Sequence, residues 1–239
     1  LGYEHKEMRI KLLNGLLQQF PGITTLLYTV NTKLNDSLYD LEPVTYHGKG
    51  YIIEKLEDFS FKISPKSFFQ TNSKQAEKLY RVTRDFAELT GSQNVYDLYC
   101  GTGSIGIFVS KQAKKIVGVE SVDDAVKDAW ENSALNNISH ASFFTGDVIK
   151  VCNDDFFEHH GKPDVVITDP PRAGMHEKLV QKLLQMEAPL IVYVSCNPAT
   201  QARDLALLGE KYSVEKVQPV DMFPHTHHIE NVVQLKLKK

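Results

Sequence analysis

Residues 94–106 read NVYDLYCGTGSIG: a run of strand-forming residues that breaks into Gly101, Gly103 and Gly106. A strand entering a glycine turn and leaving as an apolar helix opens many ligand-binding α/β sheets, because glycine permits a tight turn and close backbone approach to a ligand. Working outward, further apolar runs follow at KIVGVE (115–120), ASFFTGD (141–147), DVVITDPP (164–171), LIVYVSC (190–196), YSVEKVQPV (212–220) and NVVQLKLK (231–238). Amphipathic stretches separate most of them. The pattern predicts an α/β, Rossmann-like sheet of seven mostly parallel strands with helices on both faces. About ten residues join the last two strands, too few for a helical crossover, so the last strand is expected to run antiparallel. Residues 97–103, Glu120, Asp147, residues 169–172, Cys196 and Glu230 then share the edge where open α/β sheets bind ligands.

Upstream of the sheet, Asn72 with Gln75 three residues on predicts a capped helix start, and Gly91 is the expected C′ residue. Residues 5–20 predict another helix, with Met8, Leu12, Leu16 and Phe20 on one apolar face. Pro21-Gly22 ends it. TTLLYTVN (24–31) reads as a strand, and YIIEKLEDFSFKIS (51–64) as a hairpin turning at Glu57-Asp58. We therefore expect a small α+β segment over 1–65 and the main domain over 66–239.

A hydrophobic fraction of 42% in 239 residues suits one large domain with a small appendage. The sequence contains neither an eighteen-residue apolar run nor a basic-then-apolar leader, which sets the expectation of a cytoplasmic chain without a membrane span. It opens at Leu1 and enters a helical pattern almost at once. A missing upstream portion is expected. Cys100, Cys152 and Cys196 show no CxxC spacing, so neither a disulfide framework nor a cysteine-only metal site is expected. The net charge of −3 argues against a broadly basic nucleic-acid surface.

The glycines satisfy GxGxxG, and Glu120 closes the next strand where an acidic residue would bind ribose hydroxyls. Asp97 sits four positions before the turn, which favours a cationic ligand such as the amino-acid end of S-adenosylmethionine over a dinucleotide pyrophosphate. A glycine turn used only for close packing is the plain alternative. In TDPPR, two prolines stiffen the loop beside Asp169, and Arg172 stands where amine methyltransferases carry a stacking aromatic. Cys196 ends a strand at the ligand edge and could be core filling, a metal ligand beside His225, His227 and His228, or a nucleophile. No metal is expected, since the histidines share one loop.

Taken in order, SPKSFFQTN (64–72), DLYCGTGSIG (97–106), TDPPRAG (168–174), VSCNPAT (194–200) and MFPHTHHIENVV (222–233) resemble the successive motifs of the S-adenosylmethionine-dependent RNA uracil-5-methyltransferases. That family makes 5-methyluridine in bacterial ribosomal and transfer RNA. VNTKLNDSLYDLEP (30–43) resembles the region before its catalytic domain. The resemblance implies a class I methyltransferase fold, S-adenosyl-L-methionine as cofactor, and an RNA substrate, with 23S rRNA favoured over tRNA and hence a role in rRNA processing. It makes Cys196 the nucleophile and Glu230 the base. Gln70, Tyr99, Ser104, Glu120, Asp147 and Asp169 fall at cofactor-binding positions, joined by Gly101 of the turn. Phe68, Asp169 and Arg172 are the implied substrate contacts, and a monomer is expected. Ser104 stands where asparagine is common, Asp147 replaces the asparagine of some members, and His227 replaces a glycine. The N-terminal oligonucleotide-binding barrel that members often carry, and the four iron–sulfur cysteines of some, have no counterpart in this sequence.

The chemistry fits that residue set. Uracil C5 is a weak nucleophile, and a thiolate adding at C6 makes it an enolate carbon; a carboxylate then removes the C5 proton so that elimination frees the sulfur. An exocyclic-amine methyltransferase, which needs no cysteine, and a noncatalytic cofactor- or RNA-binding module are the other readings.

Overall fold

The computed structural model describes residues 5–35 and 40–239. The segment at 30–43 crosses 36–39, which lie outside the described residues, as do 1–4. In chain order, α1 (Lys6–Gln19) precedes two antiparallel pairs, β1 (Leu26–Tyr28) with β2 (Val44–His47) and β3 (Ile52–Leu56) with β4 (Phe59–Ile63). Then come α2 (Ser73–Ala87), β5 (Asn94–Leu98), α3 (Ser104–Val109), β6 (Lys115–Glu120), α4 (Asp123–Leu135) and β7 (Ala141–Thr145). Two short helices, α5 (Val148–Val151) and α6 (Asp154–His160), lead to β8 (Val165–Thr168) and α7 (Glu177–Met186). The chain finishes with β9 (Leu190–Ser195), α8 (Pro198–Leu208), β10 (Tyr212–Val220) and β11 (Glu230–Leu237).

Seven strands form one sheet in the order β10-β11-β9-β8-β5-β6-β7. β11 inserts between β9 and β10 and is antiparallel to both, while β5 to β9 are parallel. From β5 the chain moves outward through β6 and β7, then returns to build β8 and β9 on the other side. The direction of winding reverses between β5 and β8, which opens a crevice at their C-terminal ends. Both faces of the sheet are covered, so its central strands are buried on alternate sides. Val95, Val192 and Val194 pack with Leu79, Ile107 and Phe108 on one face. Tyr96, Ile191 and Tyr193 pack with Leu179, Val180 and Leu183 of α7 on the other.

Three local expectations need correction. Helix α1 forms, yet Met8, Leu12 and Phe20 are exposed and only Leu13 is buried, so its apolar stripe does not serve the main core. Gly91 is not the C′ residue: α2 ends at Ala87 and Glu88 itself adopts the left-handed conformation, where its carboxylate pairs with Lys216 and Lys236. Several strands also end two or three residues early, because the chain leaves the sheet to build the crevice. The expected hairpin does turn at Glu57-Asp58, and Leu56, Phe59 and Phe61 enter the same core as Leu79 and Ile107. The core therefore runs across residue 65.

Gly118, in the middle of β6, shows how tightly this core closes beneath the crevice. A Cβ there would lie 2.4 Å from Phe143 and 2.9 Å from the Cys100 Sγ. Gly118→Ala is expected to cost about 1–3 kcal/mol by overpacking, read as a lower unfolding midpoint in denaturant; an unchanged midpoint would mean that Phe143 turns aside freely.

Candidate active site

The chain turns sharply after β5. Tyr99, Gly101 and Gly103 all have positive φ, at 62°, 53° and 76°. For a bulky residue such as Tyr99 this is strained backbone, of the kind that recurs at ligand sites. Two hydrogen bonds hold it there, since Tyr99 N and Cys100 N both donate to Val119 O at 3.0 and 3.2 Å. The turn borders a pocket of about 520 Å³, within the range of small-ligand sites.

Gln70, Tyr99, Gly101, Ser104, Glu120 and Asp169 all line this pocket, together with Phe68, Arg172, Cys196 and Glu230. Glu120 is held from three sides: Oε2 accepts from Gly101 N at 3.2 Å, and Oε1 accepts from Val122 N at 2.9 Å and Ser121 Oγ at 3.0 Å. Asp147 is placed differently. It caps α5 by accepting from Ile149 N at 2.9 Å and is exposed, outside the pocket lining.

Asp97 also departs from its expected role as a ligand contact. It is 1% exposed, and its Oδ2 accepts from Gly106 N at 2.8 Å, tying β5 to α3 from inside. Burial pushes its carboxyl up to about 7. Phe69 likewise turns inward, 5.6 Å from the Phe61 ring, whereas Phe68 stays 74% exposed at the pocket.

Cys196 and Glu230 meet through sheet register. Asn231 of β11 lies opposite Ser195 of β9, so one step further the antiparallel ladder brings Glu230 beside Cys196. Asn197 then caps α8 through Ala199 N, with Pro198 in the first turn. The Asn197 side chain and Thr200 Oγ1 also donate to Arg172 O at 3.1 and 3.2 Å, joining the cysteine loop to the proline loop. Arg172 Nη1 in turn donates to His228 Nδ1 at 3.3 Å.

The pocket is short of positive charge. Burial raises the Glu230 carboxyl to about 7, with Arg172 opposing it. Asp169 is raised well above its ordinary range by desolvation and then by Glu230 and Asp97. The Cys196 thiol is raised by burial first, then by Glu230 and Asp169, while Arg172 lowers it. Desolvated carboxyls of this kind gather where a cation binds or a proton moves.

Sequence reasoning places Thr102 at this edge, within residues 97–103, but does not single out Tyr80. Tyr80, on the buried face of α2, places its hydroxyl 2.8 Å from Ser104 Oγ, and Thr102 Oγ1 is buried without a hydrogen-bond partner. The spacing of Tyr80 with Ala76 and Thr83 marks a buried face, but nothing marks that face as part of a pocket.

The profile of the tRNA (Uracil-5-)-methyltransferase family matches residues 47–238, most of the chain. The chain belongs to this family. An uncharacterized RNA methyltransferase of Bacteroides thetaiotaomicron is 53% identical over 98% of the chain, and one of Porphyromonas gingivalis is 56% identical over 95%. The chain spans about half the length of these relatives, 52% and 49%. Among solved structures, the Pyrococcus abyssi tRNA (uracil-54, C5)-methyltransferase in complex with S-adenosyl-L-homocysteine matches with a TM-score of 0.79 and 36% identity, over 92% of this chain and 52% of that one. A likeness of fold alone is given by the M. jannaschii tRNA m1G37 methyltransferase, at 17% identity and a TM-score of 0.66, over 96% of this chain and 68% of that one.

Proposed function

We propose that this protein methylates C5 of a uridine in RNA, using S-adenosyl-L-methionine as donor and Cys196 as a transient covalent anchor. The observation that carries the reading is the placement of Cys196 and Glu230 on adjoining strand ends inside one pocket with Glu120 and the glycine turn. An amine methyltransferase has no use for that pair.

The pocket fits the cofactor. Gly101 borders it, and a Cβ there would meet no atom within 4 Å, so its flank is open cradle. Glu120 would take the ribose hydroxyls, and Gln70, Tyr99, Ser104 and Asp169 would line the remainder. The unpartnered Thr102 Oγ1 offers a further polar contact. When bound, the cofactor supplies an electrophilic methyl on a positive sulfonium, whose charge favours the Cys196 thiolate and the ionised carboxylates.

Within the substrate, the Cys196 thiolate adds to C6 of uracil and the electron pair moves onto C5, which becomes the methyl acceptor. Glu230 then removes the C5 proton, the C5–C6 double bond re-forms, and the thiolate leaves. Arg172 would position the base, and Phe68 offers an exposed ring on which a base extruded from its stack can rest. We propose 23S rRNA in the cytoplasm as the substrate, on the strength of the motif resemblance; tRNA is the competing substrate because the Pyrococcus abyssi enzyme acts on uracil-54 of tRNA.

Methyl-labelled S-adenosylmethionine with unmodified 23S rRNA in one reaction and tRNA in the other tests this, with the product nucleoside identified by mass. 5-Methyluridine in 23S rRNA alone supports the full reading; in tRNA alone it replaces the substrate; N-methylated product overturns the chemistry. Gly101→Ala tests the cradle, since the added methyl both occupies it and adopts left-handed backbone at a cost of about 1–2 kcal/mol. Calorimetric titration with S-adenosylhomocysteine is expected to show about tenfold weaker binding, and unchanged binding would place the cofactor elsewhere.

A further inference from the structure

Helix α4 carries polar residues at an inward face, where a helix on a sheet normally presents apolar ones. Asn132 is fully buried and Asp128 is 5% exposed, and Asn136 follows one more turn along. Each meets alternate residues of β4 and its extension. Asn136 Oδ1 accepts from Ser60 N at 2.8 Å while its Nδ2 donates to Ser60 O at 2.7 Å. Asn132 repeats the arrangement on Lys62, accepting from its N at 2.7 Å and donating to its O at 3.3 Å. Asp128 meets Ser64, accepting from its Oγ at 2.9 Å, and also accepts from Ser67 Oγ.

The match is geometric. Four residues of helix rise about 6 Å, and two residues of strand rise about 6.6 Å. Side chains at every fourth helix position therefore keep step with the outward-facing groups of a strand. The edge of β4 that β3 leaves open is closed by two carboxamides, each giving the donor and acceptor that a neighbouring strand would give.

This edge leads straight into the pocket wall. β4 ends at Ile63, residues 64–67 turn with Ser67 N donating to Ser64 O at 3.0 Å, and Phe68, Phe69 and Gln70 follow. Asn132 has a second engagement, since its Nδ2 also donates to Thr102 O at 3.2 Å, in the glycine turn. One carboxamide thus touches both the strand that delivers Gln70 and the loop that cradles the cofactor. We propose that Asp128, Asn132 and Asn136 are positioning residues that set the Phe68–Gln70 wall against the glycine turn: Asn132 aligns the two, and Asp128 holds the turn from which Phe68 projects. The inference deepens the uridine methylation reading and rests on it for its kinetic arm.

The division of contacts gives distinguishable effects. Asp128→Ala touches only the 64–67 turn, so it is expected to raise KM for RNA about tenfold or more. It should speed amide hydrogen exchange across 64–72 and lower S-adenosylhomocysteine affinity less than Asn132→Ala does, since Gln70 lies in that segment while the glycine turn keeps its brace. Asp128→Asn should restore KM and exchange, because the carboxamide oxygen still accepts from one serine hydroxyl while its NH2 group donates to the other, whose hydroxyl oxygen can accept. Asn132→Ala, which also frees Thr102, should weaken S-adenosylhomocysteine binding by about tenfold. Should that variant not fold, the Asp128 pair decides alone. The proposal is overturned if Asp128→Ala leaves exchange across 64–72 unchanged, or if the alanine and asparagine variants behave alike. If wild-type protein methylates no RNA, the functional reading fails while exchange and S-adenosylhomocysteine titration still judge the positioning role.

Discussion

Cys196→Ala is expected to lower methyl transfer to RNA by at least about a thousandfold, because removing a nucleophile removes the covalent route rather than tuning it. S-Adenosylhomocysteine affinity should stay within about twofold, since the thiol is a wall of the pocket and carries no charge when protonated. The sharper measurement uses RNA in which 5-fluorouridine replaces uridine. Fluorine at C5 leaves no proton to remove, so wild-type protein should accumulate a methylated RNA–protein adduct, found by denaturing gel and located by peptide mass at Cys196. Adduct formation should rise with pH above neutrality, because burial and the neighbouring Glu230 and Asp169 hold the thiol above its ordinary range while Arg172 only partly opposes them. Full activity in Cys196→Ala, or an adduct on Cys100 or Cys152, would overturn the assignment. Both are buried thiols held above their ordinary range by burial, Cys152 to about 12, and although Cys100 borders the pocket both pack within the hydrophobic core.

The meeting of Cys196 with Glu230 is legible in the sequence because it depends on one piece of chain arithmetic. A connection of about ten residues between the last strands forbids a parallel return, and an antiparallel strand starts at the edge where the parallel ones end. What the arithmetic left open was which strand β11 joins; it enters between β9 and β10, and only that insertion places Glu230 one register step from Cys196. The place of Asp97 is not legible in the same way. Its distance from the glycines suits a ligand contact or an internal brace equally, and the buried Gly106 amide, in the first turn of α3 where no intrahelical acceptor is available, takes one carboxylate oxygen. Phe68 and Phe69 are neighbours of the same type, and only the packing of Phe61 decides which of them turns inward. The α4 stripe left a visible trace, three polar residues at fourfold spacing, but a polar stripe normally means a solvated face. Its partner is the backbone of a strand 70 residues away, and no side-chain pattern announces an open backbone edge.

Glu230→Gln is expected to separate the two halves of the proposed reaction. The thiolate still adds at C6 and C5 still accepts the methyl group, but the amide cannot take the C5 proton, so elimination stalls. Turnover should fall by about a hundredfold to ten-thousandfold, the range lost with a general base, and ordinary uridine RNA should now give the methylated adduct that wild type gives only with 5-fluorouridine. In wild type, the elimination rate should climb as pH rises through about 7, where the buried carboxyl ionises, and level off above it. The variant should lose that inflection. Stability carries the opposite sign. A carboxyl raised from 4.5 to about 7 binds its proton more tightly in the folded state, so its stabilising contribution is complete below pH 4.5 and is lost as pH rises through 7. At one pKa unit per 1.36 kcal/mol, this amounts to roughly 3 kcal/mol at pH 8. Glu230→Gln should therefore unfold at a higher denaturant concentration than wild type at pH 8 and show little advantage at pH 5. Comparing the two proteins cancels the parallel titration of Asp97, while Asp169, raised in part by Glu230, ionises more readily in the variant and adds to its advantage. Loss of turnover without adduct would assign Glu230 to binding, and loss of turnover with lowered stability at pH 8 would mean that its carboxylate is held by partners other than burial and Arg172. Slow turnover, trapped adduct and raised stability together would identify a base kept costly to ionise until the cationic cofactor enters, which is the electrostatic arrangement that the crowded carboxyls of this pocket build.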